Sequence, residues 1–204
     1  FNGDIILKLE NKNGDIYALL GDFTGHGLQA AVGTLPVSEI FSKLALEGKS
    51  VKEIAISINE RLLDILPPTM FFCVAIFHLS REDSILDIWS GGMNDILVYN
   101  STGDLLEQIP SKNVPLGITY LPFSKLVCVE RCYDEGTHLF SFSDGIVEAT
   151  NKMDEMYGTE RTIKALSCKS LNPIEFLIDD LLEFSDGQDY QDDISILHLV
   201  CSGK

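Results

Sequence analysis

The stretch LLGDFTGHGL, residues 19–28, marks a change from a strand-like to a helix-like pattern. An apolar run ends at Asp22, and helical spacing of apolar residues begins a few residues later. Two glycines lie in the segment between them. The segment is therefore either a simple turn or a loop in which Asp22 holds a ligand at the end of a strand.

Upstream of this stretch, the sequence NGDI occurs twice, at residues 2–5 and 13–16. The second copy contains Asn-Gly between two apolar runs, which is a strong hairpin signal. A three-residue turn there places Asp4 opposite Asp22 on the neighbouring strand. Two like charges side by side destabilise a sheet. The pair therefore indicates either a cation between the carboxylates or a solvated sheet end.

Apolar periodicity divides the rest of the chain into strands and helices. Strands are predicted at residues 4–9, 15–22, 70–79, 84–90, 95–100, 105–109, 125–131, 137–143 and 193–200, and helices at 26–47, 51–66, 158–168 and 173–184, with Pro36 as a kink. The strands come mostly in hairpins, which predicts an α+β fold with antiparallel sheets rather than a doubly wound parallel sheet. No repeat or linker stands out, so we predict a single domain, residues 1–204.

The composition limits the class of protein. The chain has 204 residues, with 15 basic and 31 acidic side chains and a net charge of −16. This charge argues against a nucleic-acid partner, which needs a basic surface, and is compatible with a divalent cation. The longest apolar run, residues 70–77, is too short to span a bilayer, and we expect no signal peptide. The five cysteines show no CxxC spacing, which favours reduced thiols and a cytoplasmic location.

More carboxylates stand at the ends of other predicted strands. Asp144 follows one apolar run, and Asp192 and Asp193 precede the last strand. Hard oxygen ligands from several strand ends suit Mg²⁺ or Mn²⁺, whereas the scattered histidines argue against zinc. Two divalent ions bridged by one carboxylate activate a water molecule and bind phosphoryl oxygens. The residues by themselves therefore predict a metal-assisted hydrolase.

Several segments, in order along nearly the whole chain, resemble the metal-dependent protein phosphatases of type 2C, above all the bacterial SpoIIE/RsbU-type serine phosphatases. These segments are NGDI (2–5), GDFTGHGLQAA (21–31), WSGGMNDILVYN (89–100), VPLGI (114–118), FSDGIVEATN (142–151) with MYGTER (156–161), and DDISIL (192–197). The resemblance implies an αββα sandwich of two antiparallel sheets flanked by helix pairs. It also implies a site for two divalent metal ions, Mn²⁺ or Mg²⁺, between the sheets.

The resemblance also implies roles for individual residues. Asp22 would bridge both metal ions, and the Phe23 carbonyl would bind one of them. Asp144 and Asp192 would bind the other ion. Asp4 would hold a metal-bound water or bind a metal directly. Asp22 and Asp144 are thus the implied catalytic residues.

Other positions are less completely matched to the family pattern. Asp193 is a candidate for supporting the metal ligands, and it would replace Asp192 as a ligand if the register shifted by one residue. Eukaryotic members have a His two residues after the bridging Asp, where this chain has Thr24, so the general acid is unassigned. We expect His26 to have a structural role at the N-terminus of the helix. Arg161 is a candidate phosphate contact, although a solvated position is the default for such a residue.

The implied function is a protein serine/threonine phosphatase in bacterial signalling. Its implied substrate is a phosphorylated anti-sigma-factor antagonist of the STAS type. Because the sequence opens with Phe rather than Met, we expect the C-terminal part of a longer signalling protein, preceded by a sensor or receiver domain or a membrane-tethered helix. A homodimer is compatible with the resemblance. The alternatives are a catalytically inactive type-2C-like module that only binds partners, which the intact set of acidic positions disfavours, and a hydrolase of small phosphoesters, which would need a concave basic pocket.

Overall fold

The computed structural model describes residues 3–25, 28–82, 85–167, 172–188 and 190–201, without the side chains of residues 28–31. The prediction for His26 at the start of the first helix lies outside the described residues. In the described part, the chain is α+β with two antiparallel sheets, as predicted. No described helix combines the length and the apolar character that a membrane crossing requires.

The strands and helices follow one another in groups along the chain. In chain order they are β1 (Asp4–Glu10), β2 (Ile16–Phe23), α1 (Leu28–Leu46), α2 (Val51–Ile65), β3 (Phe72–Leu79), β4 (Ile85–Gly91), β5 (Ile96–Tyr99), β6 (Leu105–Ile109), a 3-10 helix (Phe123–Lys125), β7 (Cys128–Cys132), β8 (His138–Phe142), α3 (Asp144–Val147), α4 (Gly158–Leu166), α5 (Pro173–Ser185) and β9 (Ile196–Val200). All predicted strands and helices are found, with their ends displaced by a few residues. The 3-10 helix and α3 were not predicted. Pro36 lies inside α1, and its kink stays a prediction.

Contacts between residues divide the chain into two compact units. The first unit contains the described residues within 1–93 and 110–133, and the second those within 94–109 and 134–203. The prediction of a single domain stays a prediction.

The first unit is built on a five-stranded sheet in the order β1-β2-β3-β4-β7. Its register begins at a short turn, where the Asn11 side chain accepts a hydrogen bond from the backbone N–H of Asp15 at 3.0 Å. The resulting pairing places Asp4 opposite Asp22, as predicted from the spacing. Helices α1 and α2 cover one face of this sheet through a shared apolar core that contains Phe41, Ile58 and residues of the strands.

The second unit is built on a four-stranded sheet in the order β6-β5-β8-β9, with α4 and α5 packed on it. Strands β8 and β9 are antiparallel neighbours, and Phe142 pairs with Ile196. The Ser143 backbone N–H donates to the Ser195 carbonyl at 3.0 Å and extends this pairing by one step. The end of β8 and the start of β9 therefore lie at the same edge of the sheet, which brings the residues before β9 close to those after β8.

Candidate functional site

The first group of candidate residues lies at the end of the β1–β2 hairpin. Asp4 and Asp22 face each other across the two strands. Asp22 is half-buried, and Phe23, whose carbonyl is a further predicted ligand, is the last residue of β2. The Phe23 backbone N–H donates to the Gly3 carbonyl at 3.1 Å, which fixes the two chain segments beside each other.

Gly3 leaves space for a cluster of oxygen atoms in this group. A Cβ atom at position 3 would lie 2.7 Å from Asp22 Oδ1, 2.8 Å from the Phe23 carbonyl oxygen and 3.3 Å from the Gly25 carbonyl oxygen. Any side chain there would collide with these oxygens. Carboxylate and carbonyl oxygens are the donors that Mg²⁺ and Mn²⁺ prefer, so this donor set fits such an ion. The sequence analysis missed Gly3, although it directly precedes Asp4 in the NGDI motif.

Thr24 occupies the position where eukaryotic relatives of the resembled family have a histidine. Its backbone N–H donates to the Phe71 carbonyl at 3.1 Å. Its hydroxyl accepts from the Phe71 backbone N–H at 2.9 Å and donates to the Phe71 carbonyl at 3.3 Å. Because the backbone uses this hydroxyl both as acceptor and as donor, Thr24 fastens the end of β2 to the segment before β3. It does not present a group that could act as a general acid.

The second group begins at Asp144, the first residue of α3. Its Oδ1 atom is buried and accepts no hydrogen bond from the described residues. Burial and the nearby negative charge of Asp192 raise the pKa of the Asp144 carboxyl, and backbone amides at the start of α3 only partly oppose this. A buried carboxylate oxygen without a hydrogen-bond donor is unfavourable. A bound cation would supply the missing contact to Oδ1 and neutralise the repulsion between Asp144 and Asp192, so Asp144 fits a metal ligand.

Close backbone packing holds Asp192 and Asp193 beside Asp144. A Cβ atom at Gly145 would collide with the Asp193 carbonyl, so only glycine permits this approach of α3. The Ser143 hydroxyl donates to the Asp193 carbonyl at 3.0 Å and accepts from the Ser195 backbone N–H at 2.9 Å. The Asp193 backbone N–H in turn donates to Asp192 Oδ1 at 2.8 Å and orients that carboxylate. Gly145 and Ser143 were not predicted as functional positions, although both flank Asp144 in the quoted motif.

The structure thus sorts the predicted site residues into two groups, one in each unit. Asp4, Asp22 and Phe23 form the first, and Asp144, Asp192 and Asp193 form the second. Their individual metal-binding roles stay predictions. Arg161, the candidate phosphate contact, is instead engaged within the second unit, where its guanidinium binds the Asp180 carboxylate through two hydrogen bonds of 2.9 and 3.2 Å.

One protein family matches most of the chain. The family model described as stage II sporulation protein E (SpoIIE) matches residues 12–201, a range that contains Asp22, Asp144 and Asp192 but not Asp4. A comparison with curated proteins gave no significant match.

Three solved structures illustrate the likeness in fold. The RsbU and RsbW domains of a Mycobacterium tuberculosis protein have a TM-score of 0.81 and 19% identity, over 99% of this chain and 57% of that one. The PP2C phosphatase domain of SpoIIE from Bacillus subtilis, with a fragment of its regulatory domain, has a TM-score of 0.74 and 18% identity, over 96% and 57%. RsbX in complex with magnesium has a TM-score of 0.70 and 14% identity, over 97% and 86%. The present chain therefore spans little more than half of the first two, and at these identities the likeness shows a shared fold.

Proposed function

The chain belongs to the SpoIIE family. We propose that it is a PP2C-type, metal-dependent serine phosphatase domain that removes phosphate from phosphoserine and phosphothreonine in a protein substrate at a two-metal site. The observation that carries the proposal is the buried Asp144 Oδ1, which has no hydrogen-bond donor among the described residues. A buried carboxylate oxygen of this kind is well suited to a cation and poorly suited to a purely structural role.

We propose Mn²⁺ or Mg²⁺ as the metal, since the donors are carboxylate and carbonyl oxygens and a similar protein, RsbX, was solved with magnesium. In this proposal Asp22 would hold both ions, and the Phe23 carbonyl would hold one of them. Asp144 and Asp192 would hold the other. Asp4 would hold a metal-bound water or a metal directly.

The ions, when bound, would supply an activated water molecule and neutralise charge on the phosphoryl oxygens. The residues of the chain contribute the positions of the ligands. The Asp193 backbone N–H keeps the Asp192 carboxylate turned in one direction. The Gly3 position leaves the Asp22 and Phe23 oxygens uncovered. Thr24 keeps the end of β2 in place through Phe71, and its hydroxyl is not the source of the proton that the leaving serine oxygen needs.

We further propose that the substrate is a STAS-type anti-sigma-factor antagonist and that residues 1–204 form one phosphatase domain that follows a sensor or receiver domain. Support comes from two similar chains, one that contains both RsbU and RsbW domains and one that contains part of a regulatory domain. No described cysteine is in a disulfide, which supports a reducing, cytoplasmic location for this domain. Phosphate release from a serine-phosphorylated STAS protein, compared with a phosphotyrosine protein, tests the substrate assignment.

The catalytic proposal is tested by hydrolysis of para-nitrophenyl phosphate and of a phosphoserine peptide in Mn²⁺, Mg²⁺ or EDTA. The wild type is compared with Asp22→Asn, Asp144→Asn and the control Asp179→Asn, which changes an exposed carboxylate on α5. We expect metal-dependent turnover that falls at least about a hundredfold in the first two variants and is retained in the control. Turnover that survives EDTA or both substitutions would refute the two-metal site. Metal binding without turnover would favour the inactive binding module.

A further inference from the structure

We propose that residues 110–127, here called the docking loop, form the surface on which the phosphoprotein substrate docks. The docking loop belongs to the first unit and connects β6 with β7. This inference rests on the proposed function, because it concerns how the same phosphatase receives a protein rather than a small phosphoester.

The charge of the docking loop differs from that of the rest of the chain. Residues 108–129 contain no Asp or Glu, the longest such run in a chain with 31 acidic residues and a net charge of −16. Lys112 and Lys125 are exposed within it. A phosphoserine carries about −1.5 to −2 charges at neutral pH, so a phosphoprotein is repelled by most of an acidic surface. At the docking loop, the exposed lysines attract a phosphoprotein instead of repelling it.

Hydrogen bonds from two asparagine side chains to the backbone hold the docking loop in one conformation. Asn59 of α2 is 1% exposed, and its side chain donates to the Thr119 carbonyl at 3.0 Å and accepts from the Gly117 backbone N–H at 2.8 Å. The Asn113 side chain joins the two ends of the loop, because it donates to the Val127 carbonyl at 2.9 Å and accepts from the Val127 backbone N–H at 3.0 Å. A surface fixed in this way loses little conformational entropy when a partner binds.

The docking loop presents apolar side chains to solvent although it is anchored in the core. Leu116 and Leu126 are buried in the core of the first unit. Five other apolar residues of the loop are exposed: Val114, Ile118, Tyr120, Phe123 and Val127. Tyr120 is 68% exposed, and the Lys52 ammonium lies 5.5 Å from the centre of the Phe123 ring. Exposed aromatic side chains on a rigid support are typical anchors of protein interfaces.

The docking loop starts beside the first group of site residues. A Cβ atom at Gly92 would lie 2.5 Å from the Pro115 side chain and 2.8 Å from Cys73 Sγ, so these two side chains are close neighbours. Cys73 is the cross-strand partner of Asp22. A protein bound along the docking loop would therefore have part of its surface next to the end of β2.

Together, these features define the partner by its chemistry. It is the substrate's own surface around the phosphoserine, and it carries acidic side chains for the exposed lysines and apolar side chains for Tyr120 and Phe123. A second copy of the chain that docked through the same loop would bring two basic surfaces together, which electrostatic complementarity disfavours. We therefore assign the docking loop to the substrate.

The test measures binding of two fluorescein-labelled phosphoserine peptides by anisotropy in EDTA, so that it does not depend on turnover. One peptide has Asp, Glu, Leu and Phe around the phosphoserine, and the other has Lys and Ser. The wild type is compared with Tyr120→Ser/Lys125→Glu. The control is Leu106→Ser/Lys12→Glu, which replaces an exposed leucine of β6 and an exposed lysine of the β1–β2 turn. It alters the net charge by the same amount as the docking-loop variant.

We expect the wild type to bind the acidic peptide at least about tenfold more tightly than the basic one. The docking-loop variant should lose about tenfold in affinity for the acidic peptide, while the control keeps it and para-nitrophenyl phosphate hydrolysis is unchanged in both. Equal affinity of the wild type for the two peptides, or an equal loss in the control, would overturn the proposal. So would a wild-type dimer in sedimentation that the docking-loop variant abolishes, because the surface would then belong to a second copy. Absence of para-nitrophenyl phosphate hydrolysis in the wild type would refute the phosphatase proposal alone.

Discussion

Replacement of Asp144 by Asn should stabilise the metal-free protein and remove its response to metal. The buried Oδ1 atom has no donor among the described residues, and the Asp192 carboxylate lies near enough to raise the Asp144 pKa. An amide has nearly the same shape, carries no charge and can donate a hydrogen bond to Asp192. The substitution therefore relieves an unfavourable interaction in the absence of metal and weakens a favourable one in its presence.

The expected size of both effects follows from the chemistry of the site. Leaving a buried acceptor unsatisfied costs about 1–3 kcal/mol, of which Asn should recover about 1 kcal/mol. For a chain of this length, that corresponds to a rise of about 2–4 °C in the Tm measured in EDTA. Metal at a hundred times its Kd stabilises the wild type by about 2.7 kcal/mol, or about 5–10 °C, and Asp144→Asn should lose most of this shift.

Thermal unfolding followed by circular dichroism, in EDTA and in a Mn²⁺ series, measures both quantities. Asp179→Asn is the matched control, since it removes an exposed carboxylate from α5, and its two melting curves should follow those of the wild type. A lower Tm of Asp144→Asn in EDTA, or an undiminished shift with Mn²⁺, would show that the carboxylate is a structural group and would refute the reasoning.

Two further predictions concern other parts of the chain. Gly3→Ala places a Cβ atom 2.7 Å from Asp22 Oδ1. We therefore expect the affinity for Mn²⁺, measured by calorimetry, to fall about tenfold, which is equivalent to about 1.4 kcal/mol. The control Gly48→Ala, where a Cβ atom meets nothing within 4 Å, should leave this affinity unchanged. Burial and the neighbouring His138 lower the pKa of His198 to about 4, below its value in the unfolded chain. Protonation of His198 therefore favours the unfolded chain. The free energy of unfolding, measured with urea, should fall as the pH drops below 6.5 and should be about 2 kcal/mol lower at pH 5.

Each of these predictions has an outcome that contradicts it. Unchanged Mn²⁺ affinity in Gly3→Ala would mean that the oxygens around position 3 do not take part in binding metal. For the acid effect, the reference is His198→Gln, which cannot gain the proton. The wild type and this variant should differ in their loss of stability between pH 7 and pH 5, and an equal loss would assign the acid sensitivity to other groups.

The sequence was most informative where contacts are local. The strand register that places Asp4 opposite Asp22 follows from two local features. These are the short turn that the Asn11 side chain closes and the alternation of side chains along a strand. Family resemblance supplied the grouping of Asp144 with Asp192, because nothing local relates two segments so far apart in the chain. Pattern analysis therefore predicted the elements and their class but not the packing of β8 beside β9.

The positions that were missed are small residues whose roles depend on close approach. Gly3 and Gly145 matter because a side chain at either position would collide with atoms of residues that are distant in sequence. These atoms lie around the end of β2 for Gly3 and in the segment before β9 for Gly145. Helix α3 was missed because four residues are too few to show a helical period. Arg161 is a typical phosphate contact by residue type, and only the position of Asp180 on the next helix reveals its engagement.

The pairing of β8 with β9 also has a consequence for protein synthesis. The β1–β2 hairpin closes through neighbouring residues and can form as soon as it leaves the ribosome, whereas Asp192 reaches its place only when β9 has added to the sheet. If Asp192 is a metal ligand as proposed, a nascent chain or a fragment cut before this residue has an incomplete set of ligands. Premature termination would then yield silent products rather than an unregulated phosphatase.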